Sequence, residues 1–429
     1  MMAVMGATLP DATVSVSGVA GGGDGVGRLP DGRAVFVRGA LPGERVVARM
    51  VEERARFARA EVVEVLDPSP ARVQPPCPVL AAGCGGCGWQ HVAPEAQREL
   101  KAVVVGDALR RIGGLASVPD IDPGPHLPAT GYRTTVHAAV VDGRAGFRRH
   151  HGHDVVAVDG DGCLVAHPLV DEVLRQGRFG NASAATVRAG SATGERLVVV
   201  DPVATAVEVP DGVQVTDAAA LAAGHRAWIH EVVAGRRFRV SAGSFFQARP
   251  DGAAALAELV ASWAAGDVGD SPVRVADLYG GVGLLGAVLA DRMTAAGGRA
   301  RLQVVEANRS SVADAEVNLA DLDHARVVRA DVRRWRPSTV DVVVADPSRH
   351  GLGAAVVDRV AATGTPLLVL VSCDPGSLGR DAGLLASAGF DLAGATLVDL
   401  FPHTPHVEVV TRWRRNARTP GHPGGGPAP

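Results

Sequence analysis

The stretch "LVLVSCDP", residues 368–375, is an apolar run that ends in a thiol and an acid. The chain has five cysteines, and the other four, Cys77, Cys84, Cys87 and Cys163, lie far from Cys373 in sequence. A thiol at the end of a buried strand can be packing filler, because cysteine is among the most buried residue types. It can also be a nucleophile when a positive neighbour or a helix N-terminus lowers its pKa from about 8.5. A helix beginning near Ser377 would serve that purpose. "FPHTPHVE" brings Glu408 and two histidines close behind in sequence. The remaining cysteines form a different pattern: Cys77-x6-Cys84-x2-Cys87 with a distant Cys163 is a four-thiolate set. Its "GCGGCG" core is too polar and flexible for a hydrophobic interior. By spacing alone both zinc and an iron–sulfur cluster are open. An odd number of cysteines argues against a disulfide framework.

"DLYGGVGLLG" follows a strand and opens a helix, and its Gly281, Gly283 and Gly286 fit G-x-G-x-x-G, with Glu306 at the end of the next strand. Asp277, just before the glycines, argues against a pyrophosphate ligand because it adds like charge at the phosphate position. A sulfonium cation fits better, with Glu306 accepting from the ribose hydroxyls. S-adenosylmethionine is such a cofactor. "VVVADPSRHGLG" puts Asp346 at another strand end, where ligands of open parallel sheets bind. Pro347 denies that turn a backbone donor and fixes its φ. Cys373 ends the next strand, so Asp346, Cys373 and the glycine loop are expected on one rim.

A thiol and a carboxylate beside a methyl donor suggest chemistry at C5 of uracil. That carbon is too weak a nucleophile to take a methyl group directly. A thiolate adding to C6 makes C5 enolate-like, and a base must later remove the C5 proton so that the thiolate can leave.

The elements that must position these groups follow from patterning. Residues 11–67 read as short alternating strands with glycine and proline turns, a small barrel of the OB kind. Residues 68–240 are irregular, a central α+β region. From 241 strands and helices alternate, as in a doubly wound, mostly parallel α/β sheet. "ATLVDLF" and "HVEVVTRWRR" are separated only by "PHTP", so the last two strands are expected to be antiparallel neighbours. Residues 1–10 and 417–429 read as disordered ends. With 47% hydrophobic and 21% charged residues and no long apolar run, the chain reads as globular, without a membrane span, and cytoplasmic. A net charge of −3 gives no global attraction for nucleic acid, so any such surface must be local. Only Lys101 among the 43 basic residues is lysine, a compositional bias that removes arginine excess as a sign of phosphate recognition.

Residues 241–412 resemble the RNA 5-methyluridine methyltransferases. The matching stretches are "SFFQARP", "DLYGGVGLLG", "VVEANRSSVADAEVNLA", "DPSRHGLG", "LVSCDPGSLGRDAGLL" and "VDLFPHTPHVE", in the family's order. The resemblance implies a Rossmann-like class I S-adenosylmethionine-dependent methyltransferase sheet at 241–416. It makes Cys373 the nucleophile and Glu408 the general base, and it puts Gln247, Tyr279, Glu306, Asp331 and Asp346 on cofactor-binding positions. "CGGCGWQHV" is similar to the setting in which that family carries a [4Fe–4S] cluster, which favours iron over zinc at Cys77, Cys84, Cys87 and Cys163. Residues 11–67 resemble the TRAM module, an OB-like RNA-binding barrel on which Arg45, Arg49, Arg54, Arg56 and Arg59 would form a basic face.

Gly280 and Leu284 depart from the family's usual cysteine and asparagine, and Ser348 replaces a common proline. The implied partner is RNA, ribosomal or transfer, with the target base out of its stack; no obligate protein partner is implied. The rivals are a cytosine-C5 enzyme, a nicotinamide-dependent oxidoreductase and a non-catalytic RNA-binding protein. The lack of a cysteine in "ADPSRHG", the acid at Asp277, and the Cys373 and Glu408 pair argue against them in turn.

Overall fold

The computed structural model describes residues 10–150, 152–265 and 272–416. The ends expected to be disordered lie outside these residues, apart from Pro10. The chain forms two compact units. One comprises 1–105, 122–256 and 397–408; the other comprises 106–121, 257–396 and 409–429.

The first unit opens with a closed five-stranded barrel, in the order Asp11–Val19, Gly25–Arg28, Ala34–Arg38, Phe57–Asp67 and Arg45–Glu53. Alternation produces it: Val14, Val16, Val35, Val37, Val46, Ala48 and Ala60 point inward and are buried, while the residues between them face out. The outward arginines are not an uncompensated basic face. Arg45 pairs with Asp67 at 2.7 Å, Arg54 with Glu52 at 2.6 Å, Arg49 with Asp11 at 3.4 Å and Arg59 with Asp24 at 3.4 Å. Their acidic partners sit on the same or a paired strand, or in the turn at Asp24, so much of the expected positive field is offset locally. Beyond the barrel lies a six-stranded sheet, in the order Val213–Asp217, Arg196–Asp201, Ala184–Ala189, Thr135–Val141, Arg144–Arg148 and Val155–Ala157. The helix Pro168–Gln176 buries Val170, Val173 and Leu174 in the core beneath it.

The second unit is built on an eight-stranded sheet in the order Ala325–Arg329, Ala300–Glu306, Val273–Leu278, Val342–Ala345, Leu367–Ser372, Val409–Arg415, Phe390–Leu397 and Ile121–Asp122. Its first five strands are parallel. Val342–Ala345 and Leu367–Ser372 are buried at every position, which is why each reads as an unbroken apolar run. The intervening helices are Leu284–Ala295, Arg309–Asn318, Gly353–Ala362 and Pro375–Ser387. Val409–Arg415 runs antiparallel to Leu367–Ser372 and lies beside Phe390–Leu397.

The expected short connection between the last two strands is longer than "PHTP". The strand stops at Leu397, and residues 398–408 form a loop. Pro402 and Pro405 withhold ladder donors, and His403 takes a left-handed φ of 66°. Leu400 N donates to Val398 O and Thr404 Oγ1 to Phe401 O, so the loop bonds to itself instead of to a strand. Among the described residues no helix is long and apolar enough to cross a membrane.

Candidate active site

The glycine loop is shaped by a buried acid beneath it. Asp277, fully buried in the strand Val273–Leu278, accepts from Gly286 N at 3.0 Å through Oδ2, while its Oδ1 has no hydrogen-bond partner. A Cβ at Gly280 would lie 2.5 Å from Val304 Cγ1 and 2.9 Å from Asp277 Oδ2, so the backbone comes this close only because the residue is glycine. The departure at Gly280 is therefore matched by its packing. Leu284 is buried at the start of the following helix. Asn318 Nδ2 reaches back to Val282 O at 3.0 Å and braces the loop from the next helix, a contact that the "AEVNLA" pattern alone does not reveal.

Glu306 ends the neighbouring strand, where its two oxygens accept from Gly281 N at 3.0 Å and Asn308 N at 2.6 Å. The carboxylate is thus held in a fixed orientation at the loop, and each oxygen keeps a lone pair for a ligand. Asp346 N donates to Leu278 O at 3.2 Å, which ties the ends of two parallel strands together. Burial pushes the Asp277 carboxyl up to about 7, and the charges of Asp346 and Glu306 push in the same direction. Burial likewise raises Asp346 to about 7, although part of that residue's surface stays open to solvent. Three carboxylates thus gather at one loop, where a bound cation would be stabilised.

Tyr279 takes a left-handed φ of 60° between the strand and the loop. Burial raises its phenol to about 12, with the nearby Asp331 charge adding to the effect. Asp331 caps the short helix Val332–Arg334 and is gripped by Arg333, whose guanidinium lies 2.6 Å from Oδ2; that hydrogen bond lowers its pKa to about 2. The second unit therefore brings Tyr279, Glu306, Asp331 and Asp346 together around the glycine loop. Gln247, buried in the segment that connects the strand Arg236–Ser241 to the helix Pro250–Ala265, belongs to the first unit.

Sequence reasoning overlooked Asp381. This buried acid on the helix Pro375–Ser387 accepts from Leu352 N at 2.6 Å and Gly353 N at 3.0 Å, which pins the "DPSRHGLG" turn that carries Asp346. An acid on the buried face of an apolar helix was the available signal.

Cys373 is half-buried directly after the strand Leu367–Ser372. The helix behind it starts at Pro375, earlier than expected, with Asp374 as its N-cap accepting from Ser377 N at 2.7 Å. An acid therefore occupies the helix start, and its charge offsets the thiolate-stabilising field expected of that terminus. Glu408 is buried in the first unit, immediately before Val409, the first residue of the antiparallel strand in the second.

In the first unit Cys77, Cys84, Cys87 and Cys163 all line one cavity of about 150 Å³, with Leu80, Val136, Phe147 and Val158 among its walls. No cysteine forms a disulfide. Burial pushes the Cys87 thiol up to about 12, and the other three cysteines add to the rise. Gln90 Oε1 accepts from Cys77 N at 3.1 Å, and Asp171 Oδ1 accepts from Cys163 N at 2.7 Å, so two of the four are fixed by their own backbone. Among the described residues, no three Cys, His, Asp or Glu side chains close tightly enough to hold a single metal ion.

Comparison with known proteins agrees with this architecture. Residues 12–63 match the TRAM domain. The chain is 36% identical to an RNA methyltransferase of Streptomyces avermitilis over 425 residues, covering 92% of this chain and 96% of that one. It is 33% identical to the 23S rRNA (uracil(1939)-C(5))-methyltransferase RlmD of Halomonas elongata, covering 92% and 87%. Its fold is similar to that of the Pyrococcus abyssi tRNA (uracil-54, C5)-methyltransferase, solved with S-adenosyl-L-homocysteine, with a TM-score of 0.71, 22% identity, and coverage of 94% of this chain and 100% of that one. With its barrel, its class I methyltransferase sheet and relatives matched over nearly its whole length, the chain belongs to the family of RNA uracil-C5 methyltransferases.

Proposed function

We propose that the protein methylates C5 of a uridine in ribosomal or transfer RNA through a covalent adduct between Cys373 Sγ and C6 of the base. In this reading 11–67 is the RNA-binding barrel, 68–240 the central region and 241–416 the methyltransferase domain, and the protein works in the cytoplasm. One observation carries the assignment of roles. Ser372 pairs with Val409 in antiparallel register, and Cys373 follows the one while Glu408 precedes the other. Chain connectivity therefore leads the thiol and the carboxylate away from the same end of the sheet.

S-adenosylmethionine supplies the methyl group. Glu306 suits its ribose hydroxyls, Tyr279 and Asp331 its adenine side, and Asp346 and Asp277 its charged end, while Gln247 is assigned to the cofactor by resemblance alone. Cys373 Sγ bonds to C6, and the electron pair of the C5–C6 double bond moves toward O4. C5 then forms its bond to the methyl carbon as the carbon–sulfur bond of the donor breaks. Glu408 takes the C5 proton, the double bond reforms, and the thiolate leaves.

Cys373→Ala is expected to abolish methylation while cofactor binding persists. Glu408→Gln is expected to stall after methyl transfer and to accumulate a denaturant-resistant protein–RNA adduct that carries the labelled methyl group. A denaturing gel with labelled donor reads both. Normal turnover by either variant contradicts the assignment.

The carboxylates at the glycine loop generate a pH dependence. Asp277 and Asp346 are raised to about 7 without ligand, so they are protonated below that pH and ionised above it. A sulfonium cation binds the ionised form, so affinity should rise about tenfold from pH 6 to pH 8 for one such group, with protons released on binding. Isothermal titration calorimetry in buffers of different ionisation enthalpy checks this. Asp346→Asn should flatten the profile, and a flat profile in the unmodified protein contradicts it.

The four-cysteine cavity suits a [4Fe–4S] cluster, whose thiolate ligands stand apart around a cubane instead of closing on one ion. The cavity's apolar walls and soft sulfur donors support that reading. The residues that would hold the cluster are Cys77, Cys84, Cys87 and Cys163, and its role would be structural or in contact with RNA, since the reaction needs no redox step. Protein purified without oxygen is expected to be brown with about four irons per chain. Stoichiometric zinc without iron overturns the proposal.

A further inference from the structure

Lys101 is the chain's only lysine, and it is fully buried on the helix Pro94–Asp107. Its Nζ lies 2.7 Å from Asp399 Oδ1 and 3.0 Å from Phe401 O. A buried ion pair costs much desolvation and is often no more stabilising than apolar residues of the same volume, so its retention calls for another role. A chain that uses arginine at every other basic position keeps lysine here, where a compact ammonium must reach a carboxylate and a carbonyl at once.

The pair is part of a wider grip on one loop, and every member belongs to the first unit. One turn earlier on the helix, Gln97 Oε1 accepts from His403 N at 2.6 Å. Tyr132 Oη donates to Pro402 O at 3.3 Å, Arg249 Nη1 to Asp399 O at 3.2 Å, and Trp89 N to His403 O at 2.9 Å. Asp399 Oδ1 also accepts from Phe401 N at 3.2 Å. The far end of the loop closes on its start, because Val398 N donates to Glu408 O at 2.8 Å. Fixing Asp399 and Phe401 therefore fixes the backbone from which Glu408 projects.

We propose that Lys101 is a positioning residue for the catalytic base: by pinning Asp399 and Phe401 it sets the geometry of Glu408 and so governs removal of the C5 proton. The proposal rests on Glu408 as the base. Methyl transfer precedes that step, so loosening the pin spares donor binding and methyl transfer and slows release of the methylated RNA. Misplacement of a catalytic group by about 1 Å costs on the order of a hundredfold in rate.

The test uses the full-length protein. Lys101→Met alone leaves Asp399 buried without its cation, so the test variant is the double Lys101→Met/Asp399→Leu, with its folding checked by thermal melting. Asp399→Asn replaces it if the double variant does not fold. Single-turnover methyl transfer is expected within about twofold of the unmodified rate, while steady-state turnover falls about 10- to 100-fold and the methylated adduct accumulates. Glu408→Gln is run in parallel. If it accumulates adduct and the folded Lys101 or Asp399 variant does not, the positioning role is wrong. If Glu408→Gln accumulates none, the base assignment fails and this proposal falls with it. A purely structural role would lower the melting temperature without moving the ratio of methyl transfer to release.

Discussion

A parallel sheet packed against helices presents functional groups at its strand ends, and the second unit is organised by that constraint. Val342–Ala345 and Leu367–Ser372 are buried at every position, so nothing along their length can meet a substrate. Tyr279, Glu306 and Asp346 end or follow successive strands, and Cys373 follows the next one. The two final strands then add what a purely parallel sheet cannot. An antiparallel strand starts at the rim where its parallel neighbours finish, so Glu408 comes from the chain segment entering Val409–Arg415.

Charge gives the rim its selectivity. Burial raises the proton affinity of Asp277 and Asp346, the charges of Asp346 and Glu306 add to it at Asp277, and in the proposed reading a cationic donor relieves both effects. In the proposed reading, methyl transfer removes the positive charge from the donor sulfur, so the product loses that attraction. In the first unit, the segment from Cys87 to Gln90 serves two neighbours. Cys87 lines the four-thiol cavity and Gln90 holds Cys77, while Trp89 N bonds to His403 in the loop that leads to Glu408.

Local features were readable in the sequence. The glycine loop, the Asp-Pro turn and four of the five barrel strands each occupy one short stretch whose spacing carries the information, whereas the strand Gly25–Arg28 lies in a glycine-rich stretch that reads as a turn. What escaped depends on partners distant in sequence. Lys101 stood out only as a compositional oddity, because Asp399 lies 298 positions away. Asp381 was hidden because its ligands, Leu352 N and Gly353 N, are backbone groups with no sequence signature. The barrel arginines read as a basic face because acids such as Asp67 beside Arg45 and Asp11 beside Arg49 become neighbours only once register is known. The loop 398–408 read as a short turn because its prolines and the bonds it takes from distant residues such as Lys101 and Gln97 break a pattern that otherwise looks like strand.

The central claim, that Cys373 bonds to the uracil, is tested most directly by locating the bond. RNA transcribed with 5-fluorouridine is incubated with the protein and S-adenosylmethionine, digested, and analysed by peptide mass spectrometry. Fluorine cannot leave C5 as a proton does, so the adduct is trapped after methylation. The account predicts one modified peptide, containing Cys373 and bearing both the fluorinated nucleotide and a methyl group. A methylated RNA product with no trapped peptide, or an adduct on Cys77, Cys84, Cys87 or Cys163, contradicts it.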